Sequence, residues 1–168
     1  ASISTSAQCI KNGLTKRREP REMVNASPSS HEASRRMARV RQKGTRCEVE
    51  LRRALHSRGL RYRLQVPLIT KPRRVADVVF VSARVAVFVD GCFWHGCPEH
   101  ASWPKSNAEF WREKIEANRS RDADTGRRLA ELGWRVIRIW EHEDANDAAD
   151  RIAELILSIK KNGTGACR

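Results

Sequence analysis

The sequence lacks any apolar run long enough to cross a membrane, because no stretch of about 18 apolar residues occurs in its 168 residues. Its first residues also lack the charged and then apolar pattern of a secretory signal. There is no internal repeat, and the length leaves no room for a second large domain. These absences argue against membrane insertion, secretion and a repeat architecture, and they predict a cytoplasmic protein.

Acidic residues are also scarce relative to basic ones. The chain has 20 Asp and Glu against 33 Lys and Arg, which gives a formal net charge of +13. Such an excess favours a polyanionic partner.

The composition changes along the chain, which divides it into a central domain and two polar ends. Residues 1–30 combine Ser, Thr, Asn and Pro with basic runs and no hydrophobic period, which predicts a disordered basic arm. Met23 is a candidate start codon, because the organised sequence follows it. Residues 31–160 carry the patterns of a folded domain, and residues 161–168 are expected to form a flexible tail.

Hydrophobic periodicity predicts an alternation of helices and strands in the central domain. Thr45 and Glu48 match a capping box that begins the first helix, and Gly59 is its predicted end. Ser106 and Glu109 match a second capping box. The predicted elements are a helix at 45–58, a hairpin of strands at 75–81 and 84–89, a helix from 106–109 to 132–133, a strand at 134–140 and a helix at 148–160. A strand, a crossover helix and another strand imply a partly parallel sheet with helices packed on it, which is an α/β fold.

Two thiols, two imidazoles and two carboxylates lie within residues 90–100, directly after a predicted strand. The chain has five cysteines, an odd number in a chain too large to need disulfides, so metal ligation or free thiols are favoured. The spacing C-x4-C-x2-H suits a tetrahedral zinc ion, and a histidine after the 134–140 strand is the favoured fourth ligand. The predicted ligands are Cys92, Cys97, His100 and His142. Cys47 is the alternative fourth ligand, and buried thiols beside a surface histidine are the alternative to a metal site.

Acidic residues near the same segment form a second candidate site. Asp77 lies in a Val-rich strand, where a charge is costly unless it binds a cation or several donors, and Asp90 is expected to approach it. Oxygen ligands suit Mg²⁺, and Mg²⁺ suits phosphate chemistry. Glu48 is either a capping residue alone or a third acid directed at this site, and His95 is either a free general base or a further zinc ligand. Asp122, among arginines, is interpreted as a salt-bridge partner.

Three aromatic residues stand near these polar groups. Phe93 and Trp94 fall on a predicted loop, and Trp111 falls on the long helix. They either pack in the core or stack on and wedge between nucleic-acid bases.

Three motifs carry a resemblance to a known family. They are D-G-C-F-W-H-G-C-P-x-H from Asp90, F-W-x-x-K-I-x-x-N-x-x-x-D from Phe110 and L-G-W-R-V-x-x-x-W-E from Leu132. With this order and spacing, residues 34–159 strongly resemble the very short patch repair (Vsr) endonucleases. The resemblance implies a restriction-endonuclease-like fold, a structural zinc ion and Mg²⁺-dependent phosphodiester hydrolysis. The implied reaction is a strand-specific nick 5′ of the thymine in a T:G mismatch left by deamination of 5-methylcytosine, a step of DNA repair.

The resemblance also implies catalytic roles, residue by residue. Asp77 matches the metal-binding acid of the strand, and Val89 matches the position whose backbone carbonyl helps hold the Mg²⁺ ion. His95 matches the catalytic histidine. The further catalytic candidates are Asp90, Asp122 and Glu48. Some members carry His at the position of Asp90, and no Asp/Glu-x-Lys follows the second strand, so His95 would have to serve as the base.

DNA contacts and zinc ligands follow in the same way. Met37 matches an apolar residue that enters the duplex from the opposite groove. The aromatic residues that match the family's wedge beside the mismatch are Phe93, Trp94 and Trp111. Lys114 and Asn118, in the helix motif, are the other expected DNA contacts. Cys92, Cys97, His100 and His142 fall around the family's zinc, although some members carry Cys at the position of His142.

The expected partner is double-stranded DNA with a T:G mismatch. The protein is expected to bind it as a monomer and to be associated with a bacterial nucleoid. Contact with other mismatch-repair proteins is left open. One alternative is a related restriction-type or modification-dependent nuclease, and another is a zinc-stabilised DNA-binding protein without catalysis. Asp77 separates the last class from the nucleases, because a carboxylate without a metal repels phosphates.

Overall fold

The computed structural model describes residues 43–100, 102 and 107–163. Within this part of the chain the elements in order are α1 (Arg46–Ser57), β1 (Arg63–Ile69), β2 (Arg74–Phe80), β3 (Val85–Asp90), α2 (Ala108–Glu131), β4 (Arg135–Trp140) and α3 (Ala145–Gly163). The predicted basic arm, Met37 and residues 164–168 lie outside the described residues. No helix in the described ranges is both long enough and apolar enough to span a membrane.

The four strands form one mixed sheet in the order β1-β2-β3-β4. Strands β2 and β3 form the predicted antiparallel hairpin. Strand β3 pairs in parallel with β4, and helix α2 connects these two strands. Strand β1 was not predicted. It carries Pro67, which cannot donate a hydrogen bond to a ladder and is tolerated here because β1 lies at the edge of the sheet.

Helices cover both faces of this sheet and bury two apolar layers. Helices α1 and α3 pack together over one face, where Leu51, Leu55 and Ile152 meet Val78 and Val87. Helix α2 covers the other face through a second cluster, which consists of Ile69, Ala76, Val79, Ala86 and Leu129. The protein therefore has a mixed α/β fold in three layers, as the alternation of elements predicted.

The helix boundaries confirm the predicted caps of α1 and correct the predicted start of α3. Helix α1 has the predicted capping box, and Gly59 follows it with a left-handed φ of 69°. The second predicted capping box falls on Ser106, which lies outside the described residues. Helix α2 begins at Ala108, and its N-cap residue is Asn107 in the left-handed conformation that Asn tolerates. Helix α3 begins at Ala145 rather than 148, since the Asp144 carboxylate accepts hydrogen bonds from the backbone of the first turn.

We expect Thr45→Ala to lower the free energy of unfolding by about 1 kcal/mol, because Thr45 Oγ1 accepts a hydrogen bond from the backbone N–H of Glu48. In a protein of this size that loss lowers the melting temperature by about 2–4 °C. Thermal unfolding followed by circular dichroism measures the shift. Thr70→Ala, at an exposed position in the turn after β1, is the matched control. Equal melting temperatures for the two variants would contradict the contribution of the cap.

Candidate functional site

Asp77 lies half-buried in β2, and neutral groups are its hydrogen-bond donors. Its Oδ1 accepts from Gln65 Nε2 at 2.9 Å, and its Oδ2 accepts from the backbone N–H of Val89 at 2.9 Å. Gln65 lies on β1 with a left-handed φ of 52°, an uncommon conformation for a residue with a side chain. Two adjacent strands therefore hold this carboxylate from both sides.

Burial is the largest influence on the ionisation of Asp77, and it raises the pKa of the carboxyl group. The two hydrogen bonds lower the pKa, but the negative charges of Glu48 and Asp90 raise it further. The net result is a pKa above the usual range for Asp. In the absence of a cation, the charged form of Asp77 is thus disfavoured by its own surroundings.

Glu48 has the capping role that the sequence suggested, and it also lies near enough to Asp77 to influence it. Its carboxylate completes the capping box by accepting from the Thr45 backbone, and it also pairs with Arg52 Nη2 at 2.5 Å. Its charge acts on Asp77 as well. An arginine therefore compensates Glu48, whereas the donors to Asp77 carry no charge.

Asp90 ends β3 and is 3% exposed, and Arg138 on β4 compensates its charge. Arg138 donates from Nε to Asp90 Oδ2 at 2.5 Å and from Nη2 to Asp90 Oδ1 at 2.6 Å. This is a bidentate pair, the strongest arrangement for a guanidinium and a carboxylate. Asp90 does influence Asp77 electrostatically, as expected, but the two carboxylates have separate hydrogen-bond partners.

Asp122 on α2 joins the same network and contacts His95. The His95 Nδ1 atom lies 2.5 Å from Asp122 Oδ2, and Arg138 Nη2 lies 3.1 Å from that oxygen. Burial acts to raise the pKa of Asp122, but the His95 hydrogen bond and the Arg138 charge outweigh it, and the pKa lies below its usual range. Asp122 is thus a salt-bridge partner, as interpreted from the sequence, although its cation is Arg138 rather than the arginines near it on α2.

The network around Arg138 lines a cleft of about 650 Å³ between the end of the sheet and α2. The residues of its wall include Asp90, His95, Arg119, Asp122 and Arg138. An ionised carboxylate can only accept a hydrogen bond, so Asp122 favours the tautomer of His95 with its proton on Nδ1. In a neutral imidazole with this tautomer, Nε2 is the nitrogen that accepts a proton. The contact with Asp122 therefore orients His95 as a general base requires.

The four predicted zinc ligands converge after β3 and β4. The candidate ligand atoms of Cys92, Cys97, His100 and His142 all lie within 4.8 Å of one another. His142 Nδ1 is 3.1 Å from Cys92 Sγ and 3.8 Å from Cys97 Sγ, and His100 Nδ1 is 3.9 Å from Cys97 Sγ. The group does not include Cys47, which lies on α1 and contacts Thr45. It does not include His95 either, which contacts Asp122.

The two thiols of this group differ in acidity. Burial, together with Cys97, raises the pKa of Cys92 to about 12. Burial acts in the same direction on Cys97, but hydrogen bonds from the backbone of Glu99 and His100 outweigh it, and the pKa of Cys97 is lowered. The pair thus retains a proton without a metal, and a cation that binds both sulfurs has to displace it.

The loop between the two cysteines depends on a glycine. Gly96 has a left-handed φ of 63°, and a Cβ atom there would lie 2.8 Å from Ile115 Cγ2 on α2. A side chain at this position is therefore excluded both by the backbone and by the packing. The close approach places His95 beside α2, where Asp122 binds it.

The candidate DNA-contacting aromatic residues form a cluster of their own. The ring centroid of Phe93 lies 5.1 Å from that of Trp94 and 5.3 Å from that of Trp111. All three side chains are partly exposed, and they belong to neither of the two apolar layers on the sheet. The buried Asn118 supports this cluster by donating to the Trp94 carbonyl at 2.8 Å, whereas Lys114 is exposed on α2.

Three residues that shape the site were missed in the sequence. Gln65 holds Asp77, Arg138 connects Asp90 to Asp122, and Glu141 accepts a hydrogen bond from the backbone of Cys92 at 2.6 Å. Arg138 had a signal, because it is a charged residue in the apolar strand R-V-I-R-I-W, as Asp77 is in its own strand. Gln65 had none, since a polar residue on an edge strand is ordinary.

Comparison with known proteins agrees with this geometry. A family model described as DNA mismatch endonuclease Vsr matches residues 29–100. The type II nicking enzyme V.NaeI of Lentzea aerocolonigenes is 40% identical over 136 residues, which cover 77% of this chain and 80% of that protein. The DNA mismatch endonuclease Vsr of Escherichia coli K12 is 37% identical over 113 residues, covering 64% and 68%. The protein is thus a DNA endonuclease. It belongs to the Vsr family of DNA mismatch endonucleases.

We expect Asp77→Asn to raise the melting temperature of the protein near neutral pH when no divalent cation is added. The substitution removes a disfavoured charge, and Asn keeps both contacts if the Gln65 amide turns over and accepts from it. A gain of 1 kcal/mol corresponds to about 2–4 °C. Because the folded-state pKa of Asp77 is raised, the difference from the wild type narrows as the pH falls towards 3.8 and the wild-type carboxyl protonates.

Thermal unfolding in buffer without added divalent cations, repeated at several pH values, measures this difference. Glu154→Gln, which removes an exposed carboxylate on α3, is the control for charge removal. A lower melting temperature for Asp77→Asn than for the wild type at neutral pH would refute the assignment of Asp77 as an uncompensated charge.

Proposed function

We propose that this protein nicks one strand of double-stranded DNA on the 5′ side of the thymine in a T:G mismatch left by deamination of 5-methylcytosine, and so initiates very short patch repair. One observation carries the proposal. The neighbouring residues Val89 and Asp90 approach Asp77 and His95 respectively: Val89 donates to Asp77, and Asp90 Oδ1 lies 3.7 Å from His95 Nδ1. Asp77 and His95, the proposed metal-binding acid and general base, are therefore both held by residues at the end of β3.

Asp77 and Val89 would hold Mg²⁺. Of the four acids near the site, Glu48, Asp90 and Asp122 pair with arginine or histidine, whereas the hydrogen-bond donors to Asp77 are neutral, so the described residues fit an additional cation there. The N–H and C=O groups of one strand residue point to the same side, so the Val89 carbonyl is directed towards β2. The pairing of β2 with β3 ends at Val78 and Val87, which leaves this carbonyl outside that ladder.

The reaction would be an in-line displacement at a phosphodiester. The water oxygen bonds to phosphorus as the P–O bond to the preceding nucleotide breaks, and the leaving sugar oxygen takes up a proton from solvent. Bound Mg²⁺ would supply Lewis acidity at the phosphate and a lower pKa for a coordinated water. His95 accepts the proton of the attacking water at Nε2, and Asp122 stabilises the resulting imidazolium through Nδ1–H. The reaction therefore needs no nuclease lysine.

Zinc would be structural and held by the four ligands at the ends of β3 and β4. Around a tetrahedral zinc ion, sulfur and nitrogen ligands are about 3.6 Å apart, given bond lengths of about 2.3 and 2.1 Å. The observed separations of 3.1 to 3.9 Å fit that ion. The ion would join the loop that carries His95 to His142, two residues after β4, within the restriction-endonuclease-like fold that we propose for this chain.

The mismatch would be recognised mainly by aromatic residues. Phe93 and Trp94, on the segment that also carries His95, form a partly exposed cluster with Trp111 on α2. A wedge of these rings between base pairs would place the neighbouring phosphate beside the cleft. The net charge of +13 would bind the phosphate backbone, with Lys114 as one contact and Met37 entering from the other groove. We propose that the protein acts on this DNA as a monomer.

A nicking assay tests the proposal. Duplexes that contain T:G, T:A or 5-methylcytosine:G at one position, labelled on each strand in turn, are incubated with and without Mg²⁺. We expect one nick 5′ of the mismatched thymine, with Mg²⁺ only. Nicking of all three duplexes alike would favour a related nuclease with another target, and binding without cleavage under all conditions would favour a DNA-binding protein.

Two variants separate the roles within the reaction. Asp77→Asn should abolish nicking and the thermal stabilisation by Mg²⁺ while DNA binding is retained. His95→Ala should lower the rate by about 10²–10⁴-fold, and this rate should rise with pH as hydroxide replaces the base. His56→Ala, at an exposed histidine of α1, is the control. Wild-type nicking by Asp77→Asn would rule out the mechanism.

Zinc analysis gives a separate prediction. We expect about one zinc per chain, lost in Cys92→Ser together with a large fall in the melting temperature, because a structural site contributes folding free energy. Cys47→Ser should keep the metal, since Cys47 lies outside the ligand group. Plasma emission spectroscopy and thermal unfolding measure both properties. A zinc content well below one in the wild type would remove the structural role.

A further inference from the structure

Arg138 occupies the centre of the network that holds His95. Its guanidinium binds both oxygens of Asp90 and one oxygen of Asp122, and its Cζ lies 5.4 Å from the centroid of the Phe88 ring. The side chain is 30% exposed. These contacts fix the guanidinium on three sides, so Arg138 is arranged to hold other groups in place.

His95 has two carboxylates within reach. Asp122 Oδ2 is 2.5 Å from the Nδ1 atom, and Asp90 Oδ1 is 3.7 Å from the same atom. An imidazole can donate only one Nδ1–H, and the direction of that bond sets the direction of the ring. Whichever acid receives the proton therefore determines where Nε2 points.

Arg138 determines which of the two carboxylates accepts the Nδ1–H of His95. It occupies both oxygens of Asp90 and thus neutralises the acid that is nearly excluded from solvent, while it aligns the Asp122 oxygen that His95 uses. Without the guanidinium, two carboxylates would face each other across His95, and an unpaired buried charge would draw the imidazolium towards Asp90.

We propose, on the basis of the proposed function, that Arg138 is a positioning residue of the nuclease site. It neutralises Asp90 and orients Asp122, so that Nε2 of His95 faces the attacking water. Asp90 and Arg138 act as a pair, and neither touches the reacting phosphate. Asp90 thereby leaves the set of catalytic acids that the resemblance implied.

The paired arrangement makes a specific double variant informative. Arg138→Met leaves Asp90 charged and unpaired, whereas Asp90→Asn combined with Arg138→Met removes both charges and leaves His95 with Asp122 alone. If Arg138 acts only by controlling Asp90 and Asp122, the second substitution rescues the first. An arginine that contacts the phosphate would not be rescued in this way.

The test measures single-turnover nicking of the T:G duplex at saturating protein, together with the DNA dissociation constant. We expect Arg138→Met to slow nicking by about 10²-fold, the lower end of the loss of a general base, with little change in DNA affinity. Asp90→Asn with Arg138→Met should recover to within about tenfold of the wild type. Arg135→Met, an exposed arginine on the same strand, is the matched control and should keep the wild-type rate.

A second measurement does not depend on cleavage. The Nδ1–H proton of His95 should give a downfield NMR signal, assigned by its disappearance in His95→Gln, in the wild type and in the double variant. It should be lost by exchange in Arg138→Met. If the wild type nicks no T:G duplex, the proposed function fails, and this signal alone decides the positioning role.

Three results would overturn the inference. The first is a wild-type rate for Arg138→Met. The second is an unchanged His95 signal in that variant. The third is a double variant as slow as Arg138→Met although it keeps its zinc, its melting temperature and the signal, which would make Arg138 a phosphate-contacting residue. If Arg138→Met itself does not fold, the folded double variant still decides between pairing and phosphate contact.

Discussion

The parallel pairing of β3 with β4 is the constraint on which the site depends. Its register places Phe88 opposite Arg138 and Asp90 opposite Trp140, so that Arg138 reaches the Asp90 carboxylate from the adjacent strand. The same register ends both strands together and brings the cysteine loop beside His142. A slip of one residue would turn Arg138 to the other face of the sheet and separate both groups at once. The acid network and the cysteine–histidine cluster thus share one structural cause.

The elements that form this pairing could be predicted from the sequence, but the side-chain contacts that depend on its register could not. The hairpin, the crossover helix and the convergence of His142 with the two cysteines could be predicted, because they follow from periodicity and from the rule that adjacent parallel strands end together. The Asp90 to Arg138 contact could not, since it needs the register and the direction of each side chain. Strand β1 was missed because Pro67 is not typical of the interior of a strand. The left-handed N-cap residue of α2, Asn107, could not be predicted either, because sequence spacing does not reveal this conformation.

The acids near the site are compensated in two different ways. Arginines neutralise Glu48 and Asp90 within the protein, and Asp122 has both Arg138 and His95. Neutral donors hold Asp77, whose charge is opposed by burial and by neighbouring acids. The ion pairs with arginine give a rigid arrangement around His95. The neutral donors to Asp77 leave a local excess of negative charge in a protein with a large positive net charge.

This contrast separates a nuclease from a protein that only binds DNA. A protein that only binds DNA is stabilised when every acid that faces the phosphates is neutralised. This fold can neutralise an acid with an arginine on an adjacent strand, as Arg138 does for Asp90. At Asp77 it instead places an amide and a backbone N–H, which orient the carboxylate without neutralising it. An oriented and uncompensated carboxylate costs stability unless a cation joins it. The cost is understandable where a cation takes part in a reaction with phosphate, and the family to which the chain belongs consists of endonucleases, which cleave phosphodiester bonds.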